Sequence, residues 1–452
     1  MNNHNLALSW LKNGIVALGI AGLYSVILVL LRVPQLSPYF TDKEIFKSAL
    51  VIHVNLSVLV WLLSGAAIIW SYNQLKTGFE LALARLGLIA MIMIAISPVI
   101  GDKAPVMNNY IPMLENLAFI IGLCLFGVSL LCLAIITVIS GVYEFRQHQQ
   151  DYSVFSLAKL SSSIIYLMVF TCFIWSFLEL DRISDIVPLD IDFYYELLYW
   201  SGGHLLQFLY TQILMLIWFI LFELYLDRLK FNTIYQSLLV INFLLGSLVF
   251  YGHYNFDIID SQFKEFFTRH MIYCGGIAPV IFALLLCYEA FVAHRRKVPS
   301  FIYTTIICSI FLFFFGGLIG LLITGVNVVI PAHYHGEIVG ISIALMGLVY
   351  VYCFLKPHNE RGIIQFLPKA ENIEKYQAAP IYLITLGQLI HITGLALAGG
   401  YGVLRKTPGE EIALSAKVYM GMMGIGGLIA IIGGLMFVYI CGRKVYFSKV
   451  LN

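Results

Sequence analysis

Apolar runs of about 20 residues recur from the beginning of this chain to its end. A run of that length crosses the hydrocarbon core of a bilayer as an α-helix. Hydrophobic residues make up 60% of the sequence and charged residues only 12%, far from the composition of soluble globular proteins. The sequence therefore predicts an all-α polytopic membrane protein, whose helices face membrane lipid and pair their own backbone groups.

About twelve runs qualify as membrane spans. They are predicted at roughly 11–32, 50–72, 84–100, 117–142, 157–178, 195–225, 233–252, 268–293, 301–325, 330–355, 379–400 and 417–441. The first run is not followed by a small-residue cleavage pattern, so we interpret it as a span and not as a signal peptide. We see no internal repeat and no separate soluble domain, and we predict a single membrane domain over residues 1–452.

Lysine and arginine residues orient the predicted spans. With the N-terminus inside, the inner segments hold about 17 of them and the outer segments about 10. Because positive residues favour the cytoplasmic side, we predict a cell inner (plasma) membrane protein with both termini in the cytoplasm. A net charge of +2 gives no reason to expect a nucleic-acid partner. The eight cysteines form no Cys-x-x-Cys motif, which argues against a zinc site, a disulfide framework or covalently attached haem.

The tenth predicted span opens with a pair of histidines, His333 and His335. Residues two apart on an α-helix point about 200° away from each other. The two imidazoles therefore lie at one depth but on opposite faces, where a single metal does not easily reach both. Two planar cofactors, one on each face, reach them readily, and haem iron is commonly held by histidine. The pair therefore favours two haems.

Three further histidines fall in the same outer half of the membrane under the predicted orientation. His53 matches the depth of His335, and two imidazoles on one iron would make a low-spin, electron-transferring haem. His204 and His253, on neighbouring spans, could hold a copper or non-haem iron facing a haem on His333. Buried imidazoles in an aromatic interface are the alternative. Polar residues inside a bilayer are costly and are usually functional.

The order and spacing of these histidines resemble the catalytic subunit of the haem-copper oxidase superfamily, which includes cytochrome oxidase subunit I and the nitric oxide reductases. The resemblance extends over nearly the whole chain, and His-x-His in its helix context is the most specific part. It implies a low-spin haem on His53 and His335 and a high-spin haem on His333. It implies a second metal, copper or non-haem iron, on His204 and His253.

Two further stretches carry the resemblance. Gly325-Val326-Asn327 is similar to the Val-Asn that precedes the histidine pair in some branches. Gln388–Gly394, followed by Arg405 and Lys406, resembles the region whose basic pair binds haem propionates. The resemblance therefore implies that Arg405 meets propionates at the outer membrane edge, which suits a cation. For His391, within this region, we expect a structural hydrogen bond.

The sequence departs from the family at the second metal. The family's His-His pair reads Gly252-His253 here, or His253-Tyr254 in the other register, so one ligand is missing. Either two histidines and another group bind the metal, or the site is partly degenerate. His270 is the first candidate to replace the missing ligand, although an interface role is the more common reading of such a residue. Gly202-Gly203, just before His204, lets another backbone or a flat ring approach closely.

A second departure bears on the substrate. Many oxidases of the family carry a crosslinked tyrosine four residues after the sixth-span histidine, where this chain has Phe208. That tyrosine supplies one of the electrons that cleave oxygen, and the nitric oxide reductases lack it. Gln207 could donate a hydrogen bond to a bound gas. We therefore favour reduction of nitric oxide to nitrous oxide, with reduction of oxygen to water as the alternative and a non-catalytic haem-binding gas sensor or carrier as a second alternative.

Proton and electron supply complete the predictions. Glu337 projects to the face of His333 one turn deeper, and we predict that it delivers protons near the active haem. The acidic stretch 179–196 reads as a solvated loop, a dock for a basic electron donor or a proton-collecting mouth. Four residues of the sixth span could carry protons inward: Tyr210, Thr211, Gln212 and Glu223. Because the chain lacks copper-binding and haem c motifs, electrons should come from a second subunit or from a soluble cytochrome or cupredoxin.

Overall fold

The structure is a computed structural model that describes residues 3–32, 43–72, 78–101, 104–147, 152–360, 363–368, 375–405 and 413–447. These residues are overwhelmingly helical. The α-helices are α1 (Asn3–Arg32), α2 (Lys43–Val54), α3 (Trp61–Trp70), α4 (Glu80–Ile96), α5 (Leu117–Gln147), α6 (Val154–Ser184), α7 (Ile191–Tyr225), α8 (Asn232–Ser247), α9 (Val249–Asn255), α10 (Ser261–Cys274), α11 (Ile277–Val292), α12 (Ser300–Gly320), α13 (Val329–Phe354), α14 (Ala378–Gly400) and α15 (Leu414–Phe447).

Within the described residues these helices form twelve segments that are long and apolar enough to cross a membrane. The segments are His4–Arg32, Glu44–Trp70, Glu80–Val99, Leu117–Gln147, Val154–Ser184, Ile191–Tyr225, Asn232–Asn255, Ser261–Val292, Ser300–Gly320, Val329–Phe354, Ala378–Gly400 and Leu414–Phe447. A π-helical segment, Asn55–Val60, joins α2 to α3 within the second span. The predicted all-α polytopic architecture is confirmed.

The span ends differ from the predicted ones by a few residues. The second span begins in the first turn of α2, several residues before the predicted start. The ninth span ends at Gly320, several residues before the predicted end. Gly325, Val326 and Asn327 consequently lie in the loop that leads into α13.

Two antiparallel hairpins were not predicted. Strands β1 (Pro105–Val106) and β2 (Met113–Leu114) pair Pro105 with Leu114. Strands β3 (Leu355–Glu360) and β4 (Ile363–Pro368) follow α13 directly and pair Leu355 with Pro368. Both hairpins lie between membrane spans, where water or the interfacial region can satisfy backbone groups that the bilayer core cannot.

Two compact units divide the chain. The first unit comprises Met1–Gly14, Leu59–Leu216 and Leu229–Phe291. The second unit comprises Ile15–Val58, Ile217–Arg228 and Val292–Asn452. The predicted haem residues His53, His333, His335 and Arg405 belong to the second unit, whereas the predicted second-metal residues belong to the first. A single membrane domain over residues 1–452 stays a prediction.

The first unit buries a cluster of amide and hydroxyl groups among α6, α7 and α8. The Gln212 amide donates to Ser161 Oγ at 2.7 Å and to the Leu239 carbonyl at 3.2 Å. Asn242 in turn donates to Gln212 Oε1 at 2.8 Å and to the Phe208 carbonyl at 3.0 Å. Buried polar groups of this kind are stable only when their hydrogen bonds are made, so the cluster fixes how the three helices pack.

A buried ion pair lies at one end of the same unit. The Lys159 ammonium is 3.0 Å from Glu144 Oε2 and donates to the Tyr72 carbonyl at 2.8 Å. Only 2% of the Lys159 side chain and 14% of the Glu144 side chain are exposed. Ser156 donates to the second Glu144 oxygen. Burial, and secondarily the Glu144 carboxylate, raise the pKa of Tyr152, whose hydroxyl donates to the Ser156 carbonyl.

We expect Glu144→Gln to destabilise the protein by about 3 kcal/mol or more, because it leaves a buried ammonium without a countercharge. Thermal unfolding in detergent measures the effect. Glu265→Gln is the matched control, since the Glu265–Arg269 pair is exposed (57% and 67%) and should contribute no more than about 0.5 kcal/mol. Equal melting temperatures for the two variants would show that the buried pair does not stabilise the unit.

Candidate haem and second-metal sites

The start of α13, which carries the histidine pair, is held by the loop before it. Asn327 Oδ1 accepts the backbone N–H of Val329 at 2.9 Å, which caps a free donor in the first turn. The N–H of Val328 donates to the Val403 carbonyl at 3.0 Å. A backbone bridge also joins Asn327 to Leu404. The loop that contains Arg405 is thereby attached to the beginning of the histidine helix.

Glycines let α12 and α13 approach until their backbones touch. A Cβ on Gly336 would overlap the backbone of Gly316, and one on Gly340 would lie 2.7 Å from the Phe313 nitrogen. Gly336 and Gly340 form the small-xxx-small pattern that brings membrane helices together. The close approach places the carbonyl groups of α12 within reach of side chains on α13.

His333 uses one of those carbonyl groups. Its Nδ1–H donates to the Gly316 carbonyl at 2.8 Å, and a Cβ on Gly320 would lie 2.7 Å from Nδ1. The bond fixes the tautomer and leaves the lone pair on Nε2, as in histidines that bind a metal. Glu337 Oε2 lies 3.6 Å from that Nε2, so the structure places Glu337 beside His333 as predicted.

His53 is oriented in the same way. Its Nδ1–H donates to the Ala21 carbonyl at 3.0 Å, so its Nε2 also keeps a lone pair. The π-helical segment begins two residues later, at Asn55, and Ser57 Oγ donates to the His53 carbonyl at 2.6 Å. Such π-helical segments interrupt α-helices most often at functional sites.

His335 lies close to a further histidine. Its ring centroid is 4.7 Å from that of His391, whose Nδ1–H donates to the Met423 carbonyl at 2.9 Å. This separation is too short for an iron between the rings, since two metal–nitrogen bonds of about 2 Å each, together with about 1 Å from each nitrogen to its ring centroid, would place the centroids about 6 Å apart. His391 therefore packs against His335 and positions it, and the structural hydrogen bond predicted for His391 is confirmed.

Gln388 lies near the His335 ring, and its Oε1 is buried without a hydrogen-bond partner in the described part of the chain. The two ends of an amide exchange places by rotation. With Oε1 turned towards His335, the amide accepts a ring N–H and leaves the other ring nitrogen for a metal. Imidazoles of His53, His335 and His391 all lie within electrostatic range of one another.

Two arginines lie near this cluster. Arg405 and Arg32 both lie within electrostatic range of the Tyr334 hydroxyl, and Arg32 also lies within electrostatic range of His335. Nε and Nη2 of Arg32 are buried and find no hydrogen-bond partner among the described residues. A buried, unpaired guanidinium is costly and suits a carboxylate ligand such as a propionate. Lys406, the other predicted basic residue, lies outside the described residues.

The second unit therefore fits two haems. His53 and His333 each donate one ring N–H to a backbone carbonyl and keep the other nitrogen available to iron, and His333 and His335 project from opposite faces of α13. Arg32 adds a cation whose Nε and Nη2 have no hydrogen-bond partner among the described residues. The ligand assignments themselves, like that of Arg405, stay predictions.

In the first unit, the hairpin between β1 and β2 carries a tyrosine onto the sixth span. Asn108 Oδ1 accepts the N–H groups of Tyr110 and Ile111 at 3.1 and 2.8 Å, which forms the tight turn. A Cβ on Gly203 would overlap the Tyr110 ring, and one on Gly202 would overlap the Phe173 ring. The prediction that these glycines admit a flat ring is confirmed.

Tyr110 hydrogen-bonds to His204. The Nδ1–H of His204 donates to the Trp200 carbonyl at 2.7 Å, so its Nε2 carries the lone pair. The Tyr110 hydroxyl lies 2.9 Å from that Nε2 and donates to it. Both ring nitrogens of His204 are therefore engaged by the protein.

His253 is enclosed by side chains of its own unit. Its Nε2 lies 2.8 Å from Ser201 Oγ, and its ring stacks on Trp175 with centroids 5.0 Å apart. The Phe267 ring packs against both predicted metal ligands, with its centroid 5.6 Å from that of His204 and 6.0 Å from that of His253. Nδ1 of His253 is buried and has no hydrogen-bond partner among the described residues.

His270 stacks against Phe208 on one side and Phe266 on the other, with centroid separations of 5.0 and 5.9 Å. Its Nε2–H donates to the Leu245 carbonyl at 2.8 Å, and its Nδ1 has no hydrogen-bond partner in the described ranges. Gln207, one turn from His204 on the same helix, is half-buried. The side chain of Phe208 is buried.

These residues do not fit a metal held by His204 and His253 together. Tyr110 takes the His204 lone pair, Ser201 engages His253, and Phe267 packs on both rings. Across the described residues, no group of three or more histidine, cysteine, aspartate or glutamate side chains has the spacing to hold a metal.

Comparisons with known proteins place this geometry in a family. Residues 5–429 match the family described as Cytochrome C and Quinol oxidase polypeptide I. An uncharacterized protein of Rickettsia prowazekii (strain Madrid E) is 44% identical, with 99% of this chain and 97% of the relative covered. An uncharacterized protein of Aquifex aeolicus (strain VF5) is 26% identical over 80% of this chain and 87% of the relative.

A solved heme-copper terminal oxidase dimer has the same fold, with a TM-score of 0.72 at 12% identity over 100% of this chain and 86% of that one. The fold and the match along the sequence define a multi-pass membrane protein of the haem-copper oxidase superfamily, a class of oxidoreductases. The chain belongs to the Cytochrome C and Quinol oxidase polypeptide I family. Members of this family generally bind haems and a copper or iron centre, and they work with electron donors and a gas substrate.

Sequence reasoning missed two side chains that the structure brings to the candidate sites. Arg32 lies at the end of the first span, where a basic residue resembles an ordinary interfacial anchor. Tyr110 lies in a short loop far from His204 in sequence. The Asn108-Asn109 dipeptide signals a turn there, but nothing in the sequence indicates what that turn covers.

We expect Gly336→Ala to destabilise the protein by about 1–3 kcal/mol and to lower haem retention, because the added methyl group separates α12 from α13 and moves His333 from the Gly316 carbonyl. Melting temperature and haem absorbance per chain measure both effects. Gly434→Ala is the control, since a Cβ there has no neighbour within 4 Å, and alanine favours a helix by up to about 1 kcal/mol. Identical behaviour of the two variants would contradict the close-packing account.

Proposed function

We propose that this chain is a haem-bearing membrane oxidoreductase that reduces a diatomic gas, with nitric oxide as the preferred substrate and nitrous oxide as its product. The arrangement of His53, His333 and His335 in the second unit carries the proposal. His53 and His333 each keep one ring nitrogen available to iron, and His333 and His335 project from opposite faces of one helix. When bound, one haem would supply electron transfer and the other a site for the gas.

The residues around the haems have distinct roles in this proposal. His53 and His335 hold the low-spin haem, and His391 and Gln388 keep His335 in position. His333 holds the high-spin haem, with its ring orientation set by the Gly316 carbonyl. Hydrogen bonding to a backbone carbonyl raises the basicity of a metal-bound imidazole and fixes its orientation.

Two charged groups complete the site. Arg32 and Arg405 would neutralise haem propionates, for which Arg32 is suited because its Nε and Nη2 have no hydrogen-bond partner among the described residues. Glu337 Oε2 lies 3.6 Å from His333 Nε2. In this proposal Glu337 binds and releases a proton next to that histidine.

Nitric oxide is favoured because Phe208 stands where many oxidases of the family carry a redox-active tyrosine. The Phe208 ring is buried and stacks on His270. A phenylalanine has no hydroxyl group that could supply an electron and a proton. Gln207 lies one turn from His204 and is available to hydrogen-bond to a ligand. Reduction of two nitric oxide molecules to nitrous oxide and water takes two electrons and two protons, and the missing phenol is not needed.

We expect His53→Ala to lose the low-spin haem spectrum and His333→Ala to lose the high-spin spectrum. Turnover of the reduced, purified protein should be faster with nitric oxide than with oxygen. Optical spectra and gas-consumption rates measure these outcomes. His294→Ala, an exposed residue of the second unit, is the control and should keep both spectra. If His53→Ala and His333→Ala both kept the wild-type haem spectrum, the ligand assignment would be refuted. Oxygen consumption faster than nitric oxide consumption would refute the preference for nitric oxide.

Reduction of oxygen to water is the second candidate, and the hydrogen bond between Tyr110 and His204 is what favours it. A phenol that donates to an imidazole can give up a proton and an electron together, which is the contribution that Phe208 lacks. Oxygen consumption that exceeds nitric oxide consumption and falls in Tyr110→Phe would support this candidate. Haem spectra with no turnover of either gas would instead support a gas sensor or carrier.

We propose that the protein lies in the plasma membrane with both termini in the cytoplasm and its haems near the outer face. A basic electron donor then approaches the acidic segment 179–196, where the fifth span ends and the sixth begins. The donor is a soluble cytochrome, a cupredoxin or a partner subunit. Four carboxylates of this segment are exposed: Asp181, Asp185, Asp190 and Asp192. Complementary charge of this kind accelerates association.

We expect the rate of electron transfer from a basic soluble donor to fall steeply as salt rises. The Debye length shortens from about 30 Å at 0.01 M to about 8 Å at 0.15 M ionic strength, which screens the acidic segment. Stopped-flow reduction of the low-spin haem measures the rate. A small uncharged reductant serves as the control and should show no salt dependence. A salt-independent rate with the basic donor would contradict docking at this segment.

A further inference from the structure

We propose that this protein binds no second metal shared by His204 and His253, because the Tyr110 hydroxyl takes up the one lone pair of His204 and the Ser201 hydroxyl engages Nε2 of His253. The inference concerns the first unit alone and does not depend on which gas is reduced. It departs from the composition usual for the family, and it rests on hydrogen bonds within the unit.

The tautomer of His204 makes the argument specific. A carbonyl oxygen can only accept, so the bond from His204 to the Trp200 carbonyl places the ring proton on Nδ1. The single remaining lone pair, on Nε2, accepts the Tyr110 hydroxyl at 2.9 Å. A metal would have to displace this hydroxyl, and the turn built on Asn108 together with the fit of the ring against Gly203 holds Tyr110 in place.

Neighbouring side chains also enclose the second predicted ligand, His253. Ser201 Oγ lies 2.8 Å from its Nε2 and 3.3 Å from Ser176 Oγ, so the serine is part of a hydrogen-bonded chain. Phe267 lies against both imidazoles and contributes an apolar ring, which is no ligand for a transition metal.

Two ring nitrogens in this region, Nδ1 of His253 and Nδ1 of His270, have no hydrogen-bond partner in the part of the chain that the structure describes. They belong to rings held by different aromatic stacks, His253 on Trp175 and His270 on Phe208. Both histidines are therefore replaced in the variants used for elemental analysis.

Elemental analysis of the purified holoprotein, combined with haem quantification by its pyridine complex, tests the inference. We expect haem to account for all the iron, and copper, zinc and manganese to stay far below one atom per chain. One non-haem metal per chain that is lost in His204→Ala, His253→Ala or His270→Ala, but kept in His294→Ala, would overturn the proposal. Because haem is counted separately, a preparation without haem would count against the proposed function and leave the metal result decisive.

A variant that gains a metal site tests whether the two hydroxyl groups exclude the metal, without relying on the loss of a bound metal. Tyr110→Phe combined with Ser201→Ala keeps the ring and the helix but removes both hydroxyl groups. After incubation with copper(II) and desalting, we expect the wild-type protein to retain no copper and the double variant to retain up to one equivalent, detected by electron paramagnetic resonance. Copper retained by the wild-type protein, or no gain in the double variant, would overturn the proposal that the hydroxyl groups exclude the metal.

Discussion

The candidate sites depend on one interaction, the hydrogen bond from a histidine ring N–H to a backbone carbonyl of a neighbouring helix or of the preceding turn. A neutral imidazole buried in an apolar span has one donor and one acceptor, and both need partners. In this protein a carbonyl satisfies the donor and so determines which nitrogen keeps the lone pair. The donor–carbonyl pairs are His53–Ala21, His333–Gly316, His391–Met423, His204–Trp200 and His270–Leu245.

The same interaction leads to different chemistry in the two units. In the second unit no hydroxyl group of the described residues binds the remaining nitrogens of His53 and His333, and Arg32, whose Nε and Nη2 lack a hydrogen-bond partner among those residues, lies nearby. In the first unit the corresponding nitrogen of His204 is taken by the Tyr110 hydroxyl. One unit therefore presents ligands suited to haem iron, whereas the other presents a closed hydrogen-bonded network. The close glycine contacts of α12 with α13 make the arrangement in the second unit possible, because they bring the Gly316 carbonyl within reach of His333.

Much of this architecture can be predicted from the sequence. Hydropathy and length alone predict twelve spans, because the bilayer admits few alternatives to an apolar helix. The spacing of His333 and His335 predicts opposite faces because helical geometry is local. The roles of Arg32 and Tyr110 could not be predicted, since each depends on which distant element packs against it. The metal predicted on His204 and His253 stays a prediction, because spacing identifies candidate ligands whereas their hydrogen-bond partners decide whether a lone pair is available.

A cryo-electron microscopy map of the purified holoprotein tests the central claim most directly. The account predicts two planar densities on either side of α13, one joined to both His53 and His335 and the other joined to His333. A map with no planar density beside His333 and His335, or with a single cofactor bound elsewhere in the chain, would contradict it.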